Sequence, residues 1–157
     1  MKKILIIFLF FFTPIQAEKV ERLGFYNIQE LLEDDNLTYK IIKNCVSLNS
    51  AITEITKDDH PELSKSFFET ANYLYPFGIL TLAKIKKQNY QDVEKEYLNS
   101  VSEKVSDYME FMKKNGTTNQ SFIKGTFIGD DLNFCNEIRS AIEITISETK
   151  KLKSQDK

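Results

Sequence analysis

Two cysteines, one histidine and two acidic pairs are the side chains of this sequence whose types and spacing can do chemistry: Cys45, Cys135, His60, Asp34-Asp35 and Asp130-Asp131. The cysteines are 90 residues apart. They lack the Cys-x-x-Cys spacing at a helix start that acidifies one thiol of a catalytic dithiol. They therefore form one structural bond in an oxidising compartment, or stay as two buried thiols in a reducing one. His60 lies in Asp58-Asp59-His60-Pro61. It can serve as a general base, or as a metal ligand with Asp58 and Asp59, but zinc and non-haem iron sites commonly use two or three imidazoles and this chain has one. Its place before Pro61 suits a turn between helices instead. Paired carboxylates run glycoside hydrolysis when they face each other across a cleft. At the edge of a helix the same residues cap backbone amides and meet the positive end of the dipole, and both pairs sit at such edges. No Gly-x-Ser-x-Gly elbow and no Cys-x-x-Cys-His haem signature occurs. The expectation is a chain with no catalytic residue, no metal and no cofactor.

The elements that position these residues are legible from hydrophobic periodicity. Ile41, Cys45, Leu48, Ile52 and Ile55 advance by threes and fours, widened by Ile42 and Val46. Leu63, Phe67, Ala71, Leu74, Ile79, Leu82 and Ile85 form a second stripe; Val93, Tyr97, Val101, Val105, Tyr108 and Met112 a third; Leu132, Cys135, Ile138, Ile142 and Ile146 a fourth. No segment of comparable length alternates with a period of two, so strand content is expected near zero. Asn36, Asp59 or His60 before Pro61, Asn89 and Asp130 are the expected helix starts. A short leading helix is expected over 28–34 behind Asn27. Lys113-Lys114-Asn115-Gly116 reads as a helix end, followed by a long loop from Thr117 to Gly129 whose Phe122, Ile123, Phe127 and Ile128 fold back onto the bundle. Pro76 lacks an amide donor and crowds the carbonyl four residues back, so a helix through Tyr75-Pro76-Phe77-Gly78 must kink or break.

These elements predict an all-α, up-and-down four-helix bundle with a short leading helix, the second long helix kinked at Pro76, and one disulfide. Both cysteines fall on buried stripes, and the first and last long helices of such a bundle are neighbours. Closing a loop of 90 residues between them stabilises the fold by roughly 2–4 kcal/mol. Because Cys135 lies near the start of its helix and Cys45 in mid-helix, the two helices must be staggered, or the first must end before Ile55.

The first seventeen residues read as a cleaved secretory leader. Met1-Lys2-Lys3 is basic, Ile4 to Phe12 is an unbroken apolar run, and the segment closes on Ala17. A membrane span needs about 20 apolar residues, which this run does not supply. Residues 18–157 are then one helical domain with no span, in the bacterial periplasm or outside the cell. Removing Lys2 and Lys3 moves the net charge from −2 to −4, and the remaining lysines are interleaved with acids, which argues against nucleic acid as a partner. The one dense run, Lys150-Lys151-Leu152-Lys153, ends the last helical pattern and compensates the helix dipole.

The remaining feature is aromatic. Phe67, Phe68, Tyr73, Tyr75 and Phe77 cluster around Pro76, either as core or as the wall of a crevice opened by a kink; Phe67, Tyr73, Tyr75 and Phe77 are the candidate ligand-binding residues. The leading functional expectation is a non-catalytic exported protein that acts by interaction or as an accessory, its partner another exported or envelope protein. The second is a carrier of a small apolar ligand in that crevice. The third, remote, is a hydrolase or metal enzyme using His60.

Overall fold

The structure, a computed structural model, describes residues 20–31 and 33–155; residues 1–17, where the leader is expected, lie outside it. Among the described residues there is no strand. A single turn, α1 (Ile28–Leu31), leads into four long helices, α2 (Asp35–Thr56), α3 (Pro61–Lys86), α4 (Tyr90–Asn119) and α5 (Ile128–Gln155). α3 runs on through Pro76 without a break.

The helix ends show which local signals win. α2 is capped by Asp34, whose Oδ1 accepts the amides of Asn36 at 2.8 Å and Leu37 at 3.2 Å. The expected cap, Asn36, is already inside the helix, because a carboxylate two residues earlier both accepts the orphan amides and meets the dipole. His60 holds the start of α3 with Pro61 behind it, and its ring makes no capping bond. Asn89 caps α4 through the Asp92 amide at 3.0 Å. α4 does not stop at Gly116 as expected. It continues to Asn119 and ends at Gln120, whose φ of 56° is left-handed. Gly116 is needed for space: a Cβ there would meet the Phe122 ring at 2.8 Å. α5 begins at Ile128, ahead of Asp130, with the Ile128 amide donating to Thr126 Oγ1 at 3.3 Å. The connection between the two helices is therefore shorter than the segment Thr117 to Gly129, and it does fold back, placing Phe127 5.2 Å from Phe111.

α2 is the centre of the packing, against α3 most extensively and then α4. Small side chains allow the close approach: Ser47 and Ala51 on α2 and Ser64, Ala71 and Gly78 on α3 are all buried. Ser64 Oγ donates to the Thr53 carbonyl at 3.0 Å, and at the other end Lys84 pairs with Asp35 at 2.7 Å. Ser47 Oγ donates to its own helix at Lys43 and, at 3.3 Å, to Val101 on α4. The predicted stripes fill this core, with Ile41, Leu48, Ile52, Leu74, Ile79, Val93, Tyr97, Tyr108 and Met112 buried; Leu63, at the start of α3, is half exposed instead. α5 is different. Its buried residues, Ile128, Asp131, Phe134, Cys135 and Ile138, all fall in its first eleven positions, and no residue after Ile138 is buried.

Tyr97 plugs the junction of α2, α3 and α4. Its ring has no exposed surface, stands edge-on to Tyr75 at 5.2 Å and lies 6.1 Å from Tyr39. Burial pushes its hydroxyl well above the usual phenol range, and that hydroxyl finds no hydrogen-bond partner among the described residues. A Cβ on Gly78 would overlap the Tyr97 hydroxyl and ring. Replacing a mid-helix glycine by alanine ordinarily stabilises by about 0.5–1 kcal/mol. Here the overlap reverses the sign, so Gly78→Ala should destabilise by about 1–3 kcal/mol. Tyr97→Phe removes an unpaired buried hydroxyl and should be neutral or stabilising by up to about 1 kcal/mol. Urea unfolding of the two variants checks both, and a Gly78→Ala midpoint at or above wild type would mean the Tyr97 ring is not fixed there.

Candidate functional site

Cys45 and Cys135 form the predicted disulfide, with Cα atoms 5.4 Å apart. The stagger it demands is present: Cys45 lies mid-way along a helix that continues to Thr56, and Cys135 lies two turns into α5. From this bond the two helices diverge in opposite chain directions. Going back along α2 to Ile42 and Thr38, and forward along α5 to Ile138, Ile142 and Ile146, their side chains face each other across a groove of about 310 Å³. Ile28 and Leu31 of α1 and Phe77 of α3 complete its walls. The volume is at the small end of ligand sites, which run from about 300 to 1,000 Å³.

Three contacts hold the walls apart. The disulfide fixes α5 to α2. Thr38 Oγ1 donates to the Leu31 carbonyl and ties α1 to α2. On the far side, Arg139 donates to Thr70 Oγ1 at 2.9 Å, lies over the Tyr73 ring at 5.2 Å and pairs with Glu143, which holds α5 against α3. The two hydroxyls on the walls are both used: Thr38 as stated, and Thr145 in donating to the Ala141 carbonyl at 2.9 Å. The wall between is hydrocarbon.

Of the four candidate aromatic residues, the structure brings one to the groove. Phe77 lines it. Tyr73 packs behind it, with ring centroids 5.7 Å apart. Tyr75 turns to Tyr97 in the α3–α4 interface, and Phe67 packs at the edge of the core. Residues 73, 75 and 77 follow one another by twos, which on a helix sends them around the axis and not to one face. The groove residues Ile28, Leu31, Ala141 and Thr145 are not among the candidates that the sequence offers. The one signal for them is that the α5 stripe continues to Ile146, past Ile138, the last residue of that helix to be buried.

The polar candidates are not brought together. His60 is exposed at the α2–α3 turn, while Asp34 and Asp35 sit at the opposite end of the 22-residue α2, about 33 Å away. Among the described residues no group of three His, Cys, Asp or Glu side chains is placed to hold a metal ion. A wider cavity of about 580 Å³ lies beside the α4–α5 loop, and several of its polar groups are already engaged: Arg22 with Asp130 at 2.7 Å, and Asn115 with the carbonyls of Ser121 and Lys124.

Among the described residues, Asp131 has the one strongly displaced carboxyl group. It has no exposed surface, and its Oδ1 accepts the amides of Leu23 at 2.8 Å and Gly24 at 3.0 Å. These bonds dock the segment that leads into α1, so the residue expected at a helix edge acts over 107 or more positions of sequence. Burial pushes its pKa up to about 6; the two amides and Arg22 pull it down without prevailing, and Asp130 adds to the rise. Oδ2 finds no partner among the described residues.

Comparison with known protein families, with characterised proteins and with solved structures gives no match, so function here is argued from geometry alone.

The Asp131 carboxyl holds its proton more tightly folded than unfolded, where its pKa is near 3.8. Its protonation therefore adds stability that is complete below about pH 4, shrinks between about pH 4 and 6, and is gone above that, about 3 kcal/mol in all. Asp131→Asn retains the Oδ1 acceptor and cannot titrate. The stability of wild type minus that of the variant should rise by about 2–3 kcal/mol from pH 7.5 to pH 4, measured by urea unfolding at each pH. The difference cancels carboxylates such as Glu21, whose pKa is lowered overall because Lys40 and Tyr26 outweigh the effect of burial. A difference that is flat with pH would contradict the assignment.

Proposed function

We propose that this chain is a non-catalytic exported protein that works by binding, in an interaction or accessory role, and that the groove between α1–α2 and α5 is its working surface. One observation carries this reading. Ile138, Ala141, Ile142 and Ile146 form a continuous apolar wall that the fold leaves facing Ile28 and Leu31 across open space, whereas the α2–α3–α4 seam is closed by its own side chains. Large exposed apolar residues elsewhere, such as Phe25, Phe68 and Leu98, are scattered and need no such explanation.

The finer architecture belongs to the same proposal. The four helices follow one another up and down, and Pro76, which removes one amide from the ladder, bends α3 so that Phe77 meets the groove. Residues 1–17 direct export, and the partner lies in the periplasm or outside the cell; the disulfide and the lack of any helix among the described residues long and apolar enough to cross a membrane are compatible with this. The groove volume favours a second reading, the carrier of a small apolar ligand, centred on Phe77 and α5 and not on Tyr73, Tyr75 and Phe67.

A neutral naphthylamine fluorophore tests the groove. It should bind the folded, oxidised protein saturably, and Ile142→Glu should weaken binding about tenfold or more while the thermal midpoint stays within a few degrees of wild type. Equal binding by the variant, or no binding by the folded protein, would remove the groove from the account.

A further inference from the structure

Residues 20–27 lie against the first turn of α5 and lead straight into α1, and little holds them down. Of their side chains only Val20 and Leu23 are buried; Phe25 is 78% exposed. The ion pairs on either side, Arg22 with Asp130 and Glu21 with Lys40, stand in solvent and contribute little. The remaining tie is Asp131, whose Oδ1 takes two consecutive amides of the segment, those of Leu23 and Gly24. That tie depends on charge. Asp131 has no exposed surface, and the cation that acts on it, Arg22, is held at the surface by Asp130. Its other neighbours offer no compensation: Asp130 is an acid like itself, and Tyr108, facing it from α4 and acted on by Glu21 of the segment as well, is a buried phenol. Neither Asp131 Oδ2 nor the Tyr108 hydroxyl has a partner among the described residues. Docked and ionised, Asp131 is a buried carboxylate with one bare oxygen; released, it is solvated. Docked and protonated, it still accepts both amides through Oδ1 and bears no such cost.

We propose that residues 20–27 are a strap latched by Asp131, held shut while that carboxyl keeps its proton and freer to open once it ionises, and that the strap carries the Ile28 wall of the groove with it. The link to the groove rests on the proposal that the groove is the working surface; the strap does not. With two buried side chains in eight residues, the strap opens separately from the core. Ile28 follows Asn27 directly and lines the groove, whereas Leu31 is tied to α2 through Thr38. Opening therefore loosens the wall at Ile28 and leaves Leu31 in place. The groove is complete in acid and less firmly walled near neutral pH.

Native-state hydrogen exchange of the oxidised protein, read on peptides covering 20–30 and corrected for the intrinsic rate at each pH, tests the inference. These amides should open more often than those in the core of α2 and α4. Their opening constant should rise about tenfold from pH 5 to pH 7.5, as a carboxyl with a pKa of about 6 docked and near 3.8 released requires. Glu21, whose pKa is lowered, is ionised across that range and leaves the step to Asp131. Asp131→Asn should flatten the step. Arg22→Gln, a surface change, should move it to higher pH, because Arg22 draws the Asp131 pKa down. Saturating naphthylamine fluorophore should slow exchange of 20–30 in proportion to groove occupancy. Strap amides that exchange only together with the core, or a step that survives in Asp131→Asn, overturn the strap. A fluorophore that binds without protecting the strap overturns its link to the groove. Absence of fluorophore binding removes the groove and the link together, and leaves the strap to stand on its pH step.

Discussion

The bond between Cys45 and Cys135 is the constraint from which the rest of this molecule follows. α5 is 28 residues long, yet its buried side chains end at Ile138, so hydrophobic burial secures only its start. The disulfide joins that start to the most thoroughly packed helix of the fold. Its position, mid-way along α2 and near the beginning of α5, sets a stagger: α5 runs on for 20 residues past Cys135, whereas α2 extends only 10 residues back from Cys45. The groove is thus a consequence of register: Ile142 and Ile146 stay only partly buried because Ile28, Leu31 and Ile42 face them across open space.

Two kinds of packing coexist in the fold. Where α2, α3 and α4 meet, serine, alanine and glycine let backbones approach, and a single large ring, Tyr97, fills what remains. That region leaves little room for adjustment, as the space under Gly78 shows. Around α5 the contacts are fewer and more polar: Arg139 across Thr70 and Tyr73, and Asp131 under the amides of Leu23 and Gly24. Asp131 is a poor choice for stability alone, since a buried carboxylate costs free energy at neutral pH. What it supplies is position, because the segment it docks leads straight into Ile28 and Leu31 on the groove wall.

Much of this was readable in advance, for reasons that can be named. Helical periodicity survives folding wherever a stripe has a partner, so Ile41 to Ile52, Leu74 to Leu82 and most of Val93 to Met112 are buried as the spacing requires, with Val105 only partly so. The disulfide follows from two cysteines lying on such stripes. Less could be read where the decisive partner is remote. Asp131 looked like a helix-edge residue because its acceptor role is exercised on amides more than a hundred positions away. Gly116 looked like a stop because nothing local reveals that Phe122 folds onto it. Asn36 lost its capping role to Asp34, two residues upstream. The groove was the least legible feature: a stripe records which face is apolar, and only the stagger of helices decides how much of that face is covered. The aromatic cluster at Pro76 pointed to the right neighbourhood, and the aliphatic face of α5 supplies most of the wall.

The dependence of α5 on one bond is tested most directly by native-state hydrogen exchange of the protein before and after the disulfide is reduced. The account predicts that amides across 128–155, together with those of α1, lose protection on reduction while α2, α3 and α4 largely keep theirs. Unchanged protection of α5 in the reduced protein would contradict it, and so would a loss spread evenly over all four long helices.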